Sequence, residues 1–401
     1  MNKLNVKETK VKIFYWLLSL VLVTLPFPKY NLNSQCIIAL AVFWLFFNSF
    51  TEKKNNLKKN MGSFFTISSL FIISLLGLTY SSDFDTAIGN LKIPFLIFPL
   101  IIFSIDELTK KTTQKLLDLF SIATILAALL GLGKAFWLSY NDLGDYFYYL
   151  DFSKVLDKHT TYFSLFVCIS IINIAFGLSL KSGYFIWCRV IAIAFLLFVL
   201  YLLSSKISLI YLIIATILST IRAFLKKDSE SFKIKVLRLL VLVILPIMFL
   251  TPNLKARISK EKASNISERV QLWGAVLDNY LEKNIIFGAG TGDGHQGLVE
   301  RYKEIHYEVA AKDEYNAHNQ YLEQLLFYGV IGLILLIVLL FHTLRILYTK
   351  DQPLYLVIFI SFLIYMCSES ILERHSGLIA FSFLTTIFLS TSNQKNADAE
   401  N

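Results

Sequence analysis

His318 and Asn319 stand at the front of a long apolar run, in "YNAHNQYLEQLLFYGVIGLILLI" (315–337). A neutral imidazole at that place could take a proton from an attacking hydroxyl. Other candidates also sit beside apolar runs. They are Lys206 in "LLSSKISLI" (202–210), Arg269 in "ERVQLWGAVL" (268–277), Arg374 in "SESILERH" (368–375), and His159 with Tyr162 in "DKHTTYFSLF" (157–166). Ammonium and guanidinium groups hold phosphate oxygens. Cations and a histidine at one depth suit a phosphate ester anchored in a membrane. Each has a plainer reading: a snorkelling cation for Arg269, a polar helix start for His318, and a salt-bridged loop for Glu369, Glu373 and Arg374.

Other chemistry finds little support. His295, His306 and His318 are too far apart in sequence for a local metal site, and no HExxH is present. The glycine run "FGAGTGDG" (287–294) lacks the GK[ST] of a phosphate loop and reads as a turn that lets backbone approach another segment closely. Cys36, Cys168, Cys188 and Cys367 all fall in apolar runs and read as small hydrophobes. No metal and no cofactor are expected.

The elements that must position these residues are membrane helices. The chain has 401 residues, 55% of them hydrophobic and 17% charged. Its mean hydropathy is +0.59, far from a soluble domain. The net charge of +9 is spread over short loops between apolar runs, so it signals topology and not a nucleic acid partner. Apolar segments lie near 12–27, 34–50, 62–79, 88–104, 114–138, 160–179, 185–203, 206–224, 235–250, 320–347, 354–371 and 376–391. Each is long enough to cross a ~30 Å core, given tilt and kinks. Pro94 and Pro99 predict a break in the fourth. Lysine-rich loops at 51–60, 106–115 and 222–235 predict both termini in the cytoplasm.

The expected fold is an all-α polytopic membrane protein of about twelve transmembrane helices, with one large periplasmic loop carrying short helices. The divisions are N-terminal transmembrane helices (1–156), central helices with an active-site cation (157–250), the loop (251–319), C-terminal helices (320–391) and a disordered tail (392–401). Within the loop, 266–283 carries apolar residues at helical spacing, predicting an amphipathic helix on or beside the membrane surface. A second short helix is expected over 296–312.

In order and spacing, "HTTYFSLF", "SSKISLI", "ERVQLWGAVL", "FGAGTGD", "AHNQYLEQLLFYGVIGL" and "SESILERHSGLIAFSFL" resemble the O-antigen ligase and O-antigen polymerase superfamily of bacterial membrane glycosyltransferases. The resemblance covers roughly 157–390. It implies a metal-independent enzyme of the bacterial inner membrane that takes a glycan from undecaprenyl diphosphate on the periplasmic face. The acceptor would be another lipid-linked glycan, a lipid A core or a protein hydroxyl. By motif position His318 matches the catalytic histidine and Arg269 the loop arginine that holds the diphosphate. Lys206 falls where ligases commonly have a second arginine, and supplies a point charge in place of a bidentate fork. His159, Tyr162, Asn319, Asp293 and Arg374 remain as candidate substrate contacts. A transporter or flippase of lipid-linked saccharides is the alternative, although its ionisable residues would be expected at the midplane.

Overall fold

The computed structural model describes residues 3–28, 30–105, 108–177, 184–225, 268–282 and 284–393. Every regular element among them is helical. In chain order they are α1 (Lys3–Thr24), α2 (Tyr30–Phe46), α3 (Phe50–Lys59), α4 (Met61–Gly77), α5 (Phe84–Gly89), α6 (Pro94–Phe103), α7 (Lys110–Tyr140), α8 (Tyr149–Leu156), α9 (Thr160–Ile172), α10 (Tyr184–Leu203), α11 (Lys206–Leu225), α12 (268–282), α13 (Gly294–Glu304), α14 (Glu308–Lys312), α15 (Gln320–Thr349), α16 (Pro353–Met366) and α17 (His375–Asn393).

Among the described residues six helical segments are long and apolar enough to cross a membrane: Met61–Tyr80, Phe84–Phe103, Lys110–Tyr140, Thr160–Gly177, Gln320–Thr349 and His375–Asn393. The pair Asn31–Phe46 and Phe50–Lys59, bent by 112°, makes a seventh if it is one span. That is fewer than the twelve expected. The apolar runs near 185–203 and 354–371 contain shorter apolar helices, Trp187–Leu203 and Pro353–Met366, and 235–250 lies outside the described residues. The expected break at the prolines is present, with Pro94 opening α6 after α5 has ended at Gly89.

The chain forms two compact units, each assembled from separated stretches. One comprises Met1–Lys53, Glu107–Leu254 and Asp351–Ser361; the other comprises Lys54–Asp106, Lys255–Lys350 and Phe362–Asn401. In the first, α1 packs on α2 and α7, and α7 packs on α9. Phe120 meets Phe166 edge-on, with ring centroids 5.5 Å apart. In the second, α4 packs on α15 and α6, and α6 packs on α17. The edge-on pair Phe98 and Phe383, at 5.0 Å, is part of that core.

The glycine run does what its composition suggests. Within the second unit α15 is broken at Gly329, whose φ is +61°. A break inside an apolar helix frees backbone groups that lipid cannot satisfy. The 285–290 segment satisfies them. Val330 and Ile331 donate N–H to the Ile285 and Ile286 carbonyls (3.0 and 3.3 Å), while Ala289 and Gly290 donate to the Leu326 and Phe327 carbonyls (both 2.9 Å). Such approach needs bare backbone: a Cβ on Gly288 would lie 2.6 Å from the Gly329 nitrogen.

Candidate functional site

In the second unit, the turn 316–319 presents His318. Its backbone is in the left-handed region, φ +46°, a conformation that costs energy for a residue with a Cβ and is held here by hydrogen bonds. The His318 N–H donates to Asn316 Oδ1 (3.0 Å). Asn319 caps α15, its Oδ1 accepting from the Tyr321 and Leu322 N–H groups (3.0 and 3.2 Å). The imidazole is therefore free of the cap. Its Nδ1 lies 3.3 Å from Glu369 Oε1, and the glutamate side chain is only 5% exposed against 32% for the histidine. A buried carboxylate facing Nδ1 favours the tautomer with the proton on Nδ1 and leaves the Nε2 lone pair as the acceptor. Tyr315 meets the imidazole edge-on at 5.9 Å. Burial, with help from Asp313, pushes the Tyr315 phenol up and keeps it neutral.

The segment that carries Glu369 is held by partners that the sequence did not reveal. Its neighbour Ser370 donates Oγ–H to Glu323 Oε2 (2.8 Å), and the same oxygen accepts the Ala317 N–H (2.9 Å). Glu323, 1% exposed, thus ties together the residues adjoining both members of the His318–Glu369 pair. Gln320 Oε1 accepts the Leu372 N–H (2.7 Å). Buried Lys92 forms an ion pair with Glu373 (2.7 Å) and donates to the Leu372 carbonyl (3.2 Å). Gln320, Glu323 and Gln324 recur at i, i+3 and i+4. That spacing places them on one face of α15, and all three are buried. The pattern could have been read from the sequence. The part played by Lys92 could not, because its partner lies far along the chain.

The salt-bridged reading of 368–375 holds for Glu373, with Lys92 as its cation. Arg374 is exposed. Arg269 is also exposed, one turn before Trp273 on α12. Trp273 Nε1 donates to the Ala317 carbonyl (3.1 Å), so the helix bearing Arg269 is fastened to the residue before His318. Leu272, Val276, Tyr302, Ala317, Leu326 and Tyr328 form the core beneath that contact. Asp293 is committed elsewhere. Its two oxygens accept the N–H groups of Ser82 and Asp83 (2.7 and 3.0 Å), which anchors the glycine turn.

His159, Tyr162 and Lys206 belong to the first unit. His159 caps α9, its Nδ1 accepting the Thr161 N–H at 3.4 Å. Tyr162 is buried, edge-on to His159. Lys158, buried beside them, is pushed down to about 8, chiefly by burial. The sequence left 185–224 open between a kinked pair and two spans. The structure ends α10 at Leu203, turns through Ser204 (φ +50°) and starts α11 at Lys206, which is half-buried. Serine hydroxyls line that break. Ser164 and Ser208 donate to Ser205 Oγ (3.0 and 2.6 Å), and Tyr148 donates to Ser204 Oγ (2.9 Å). The Ser164–Ser205 bond brings the start of α9, with its histidine, to the start of α11, with its lysine.

A histidine oriented by a buried carboxylate at the mouth of an apolar helix is the feature to be matched. Residues 191–337 are similar to the O-antigen ligase family. That similarity supports the O-antigen ligase and polymerase superfamily for this chain. The matched stretch contains Lys206, Arg269, Asp293, His318, Asn319 and Glu323. His159, Tyr162, Lys92, Glu369 and Arg374 lie outside it. No curated protein matches the chain.

Proposed function

We propose that this chain is a glycosyltransferase of the bacterial inner membrane. It moves a glycan from undecaprenyl diphosphate to an acceptor hydroxyl at the periplasmic face, as a surface polysaccharide polymerase or an O-antigen ligase. The observation that carries the reading is His318 Nδ1 facing the buried Glu369 carboxylate, with His318 itself inside the O-antigen-ligase-like stretch. The acceptor oxygen attacks the anomeric carbon as its proton passes to His318 Nε2. The bond from that carbon to the diphosphate oxygen breaks, and undecaprenyl diphosphate leaves with the electron pair. A single displacement inverts the anomeric centre. Arg269, on the helix fastened beside His318, is the cation proposed for the diphosphate, where charge develops on the leaving group. Glu369 stabilises the imidazolium formed in the step.

The acceptor is a lipid-linked glycan, a lipid A core or a protein, and glycan profiling of a deletion strain separates polymerase from ligase. Single repeats on the lipid A core mean a lost polymerase. Polymer stranded on undecaprenyl diphosphate means a lost ligase. An unchanged profile overturns both. Reporter fusions test the orientation: Asn55 and Lys227 should read cytoplasmic and Gly294 periplasmic, and a cytoplasmic signal at Gly294 would remove the donor from the site.

A further inference from the structure

α12 carries two different faces. Leu272, Ala275, Val276 and Tyr280 are buried in the core of the second unit. Val270, Leu277 and Leu281 point the other way and are 62%, 42% and 62% exposed. Spaced seven and four residues apart, they form one narrow stripe. The residues beside the stripe are polar: Gln271, Asp278 and Glu282 are exposed, and Arg301 pairs with Asp278 (3.1 Å) and Glu282 (3.6 Å). The stripe does not end with the helix. Ile285, Ile286 and Phe287 follow it and are also exposed.

The depth of this edge follows from what it is bonded to. The Ile285 and Ile286 carbonyls accept from Val330 and Ile331 at the break in α15. Beyond the break the helix runs to Thr349. At 1.5 Å per residue that is about 30 Å, the thickness of a hydrocarbon core. Val330, Ile334, Ile337, Val338 and Phe341 are exposed along that same length. The 285–287 turn therefore meets a lipid-facing helix at its outer edge, and the stripe on α12 prolongs the same apolar surface.

We infer that the stripe of α12 and the 285–287 turn are immersed in the acyl chains of the outer leaflet, so that part of the expected periplasmic loop is a lipid-embedded element. The partner is the bilayer itself. Asp278, Glu282 and Arg301 mark the adjoining line where the helix meets water. Arg269, at the end of this half-immersed helix, stands at headgroup level. The inference rests on the membrane reading of the chain and is independent of the transferase chemistry.

The test uses the full chain with its four cysteines replaced by serine or alanine and single cysteines returned at Leu277, Leu281 or Ile286, or at Gln271, Asp278 or Glu282. Each is labelled with bimane and reconstituted into phosphatidylcholine–phosphatidylglycerol vesicles. Nitroxide-bearing lipid should quench the label several-fold more at the first three positions than at the second three, and aqueous iodide should do the reverse. Equal quenching of all six by iodide would overturn the inference. So would shielding of the first three from both quenchers, the result expected if a second copy of the chain covered the stripe. A chain lacking transferase activity that still gave the alternating pattern would leave this inference standing and would count against the proposed function alone.

Discussion

Two histidines open apolar helices in this molecule, and they are used differently. "KHTTYF" places His159 before α9 and "AHNQYL" places His318 before α15. His159 turns its Nδ1 inward and becomes the cap, accepting the Thr161 N–H. His318 is followed by Asn319, a better cap, which takes two of the free N–H groups of the first turn. Relieved of that task, the imidazole faces Glu369. The residue after the histidine thus decides whether the ring serves the helix or is available for chemistry. The residues before them differ too: Ala317 is fully buried, and Lys158 is a buried cation.

The largest effect expected from this contrast is on activity. His318→Ala should reduce transfer by roughly 10²–10⁴, while His159→Ala should cost only about 1 kcal/mol of stability through the lost cap. Glycan profiles at matched membrane levels check this, and similar losses from both would break the comparison. Next comes Glu369→Gln, which keeps the shape and removes the charge. It should lower transfer markedly without lowering protein level. An unaffected rate would reduce Glu369 to a packing residue.

Lys158 gives a pH signature to the first turn only. Burial holds its folded value near 8, below the ordinary lysine value of 10.5. Between those values the unfolded chain binds more protons, so stability should rise with pH across that window, by on the order of 3 kcal/mol. Below about 8 the penalty is fully present. Thermal unfolding in detergent from pH 7 to 10.5 should show that rise in wild type and a flatter profile in Lys158→Met. The smallest effect sharpens the contrast most. Asn319→Thr rebuilds the "HT" pair of the first turn, and His318 should be drawn toward capping. Transfer should fall a few-fold with melting temperature nearly unchanged. Full activity would mean that the cap does not set the ring.

Much of this was legible in the sequence, and the reason differs by element. The α12 periodicity, the break at Pro94 and the close approach of the glycine turn are local properties, and each is present. His318 was legible as a polar residue before an apolar run. The network behind it was not, because Lys92, Glu323 and Glu369 are joined only by packing of α15 against distant segments. Gly329 escaped for another reason. Within "FYGVIGL" it looks like any small residue in an apolar helix, and only the incoming 285–290 backbone makes it a break. The two compact units were also hidden, since periodicity gives helices and not which helices pair.

In the proposed reaction the His318 imidazole takes the acceptor's proton. The most direct measurement is transfer of lipid-linked glycan in membranes bearing His318→Ala, with and without added imidazole, at wild-type protein level. Transfer should fall by roughly 10²–10⁴, be partly restored by imidazole, and show no such loss in His159→Ala membranes. A His318→Ala chain that transfers glycan at the wild-type rate without imidazole would contradict it.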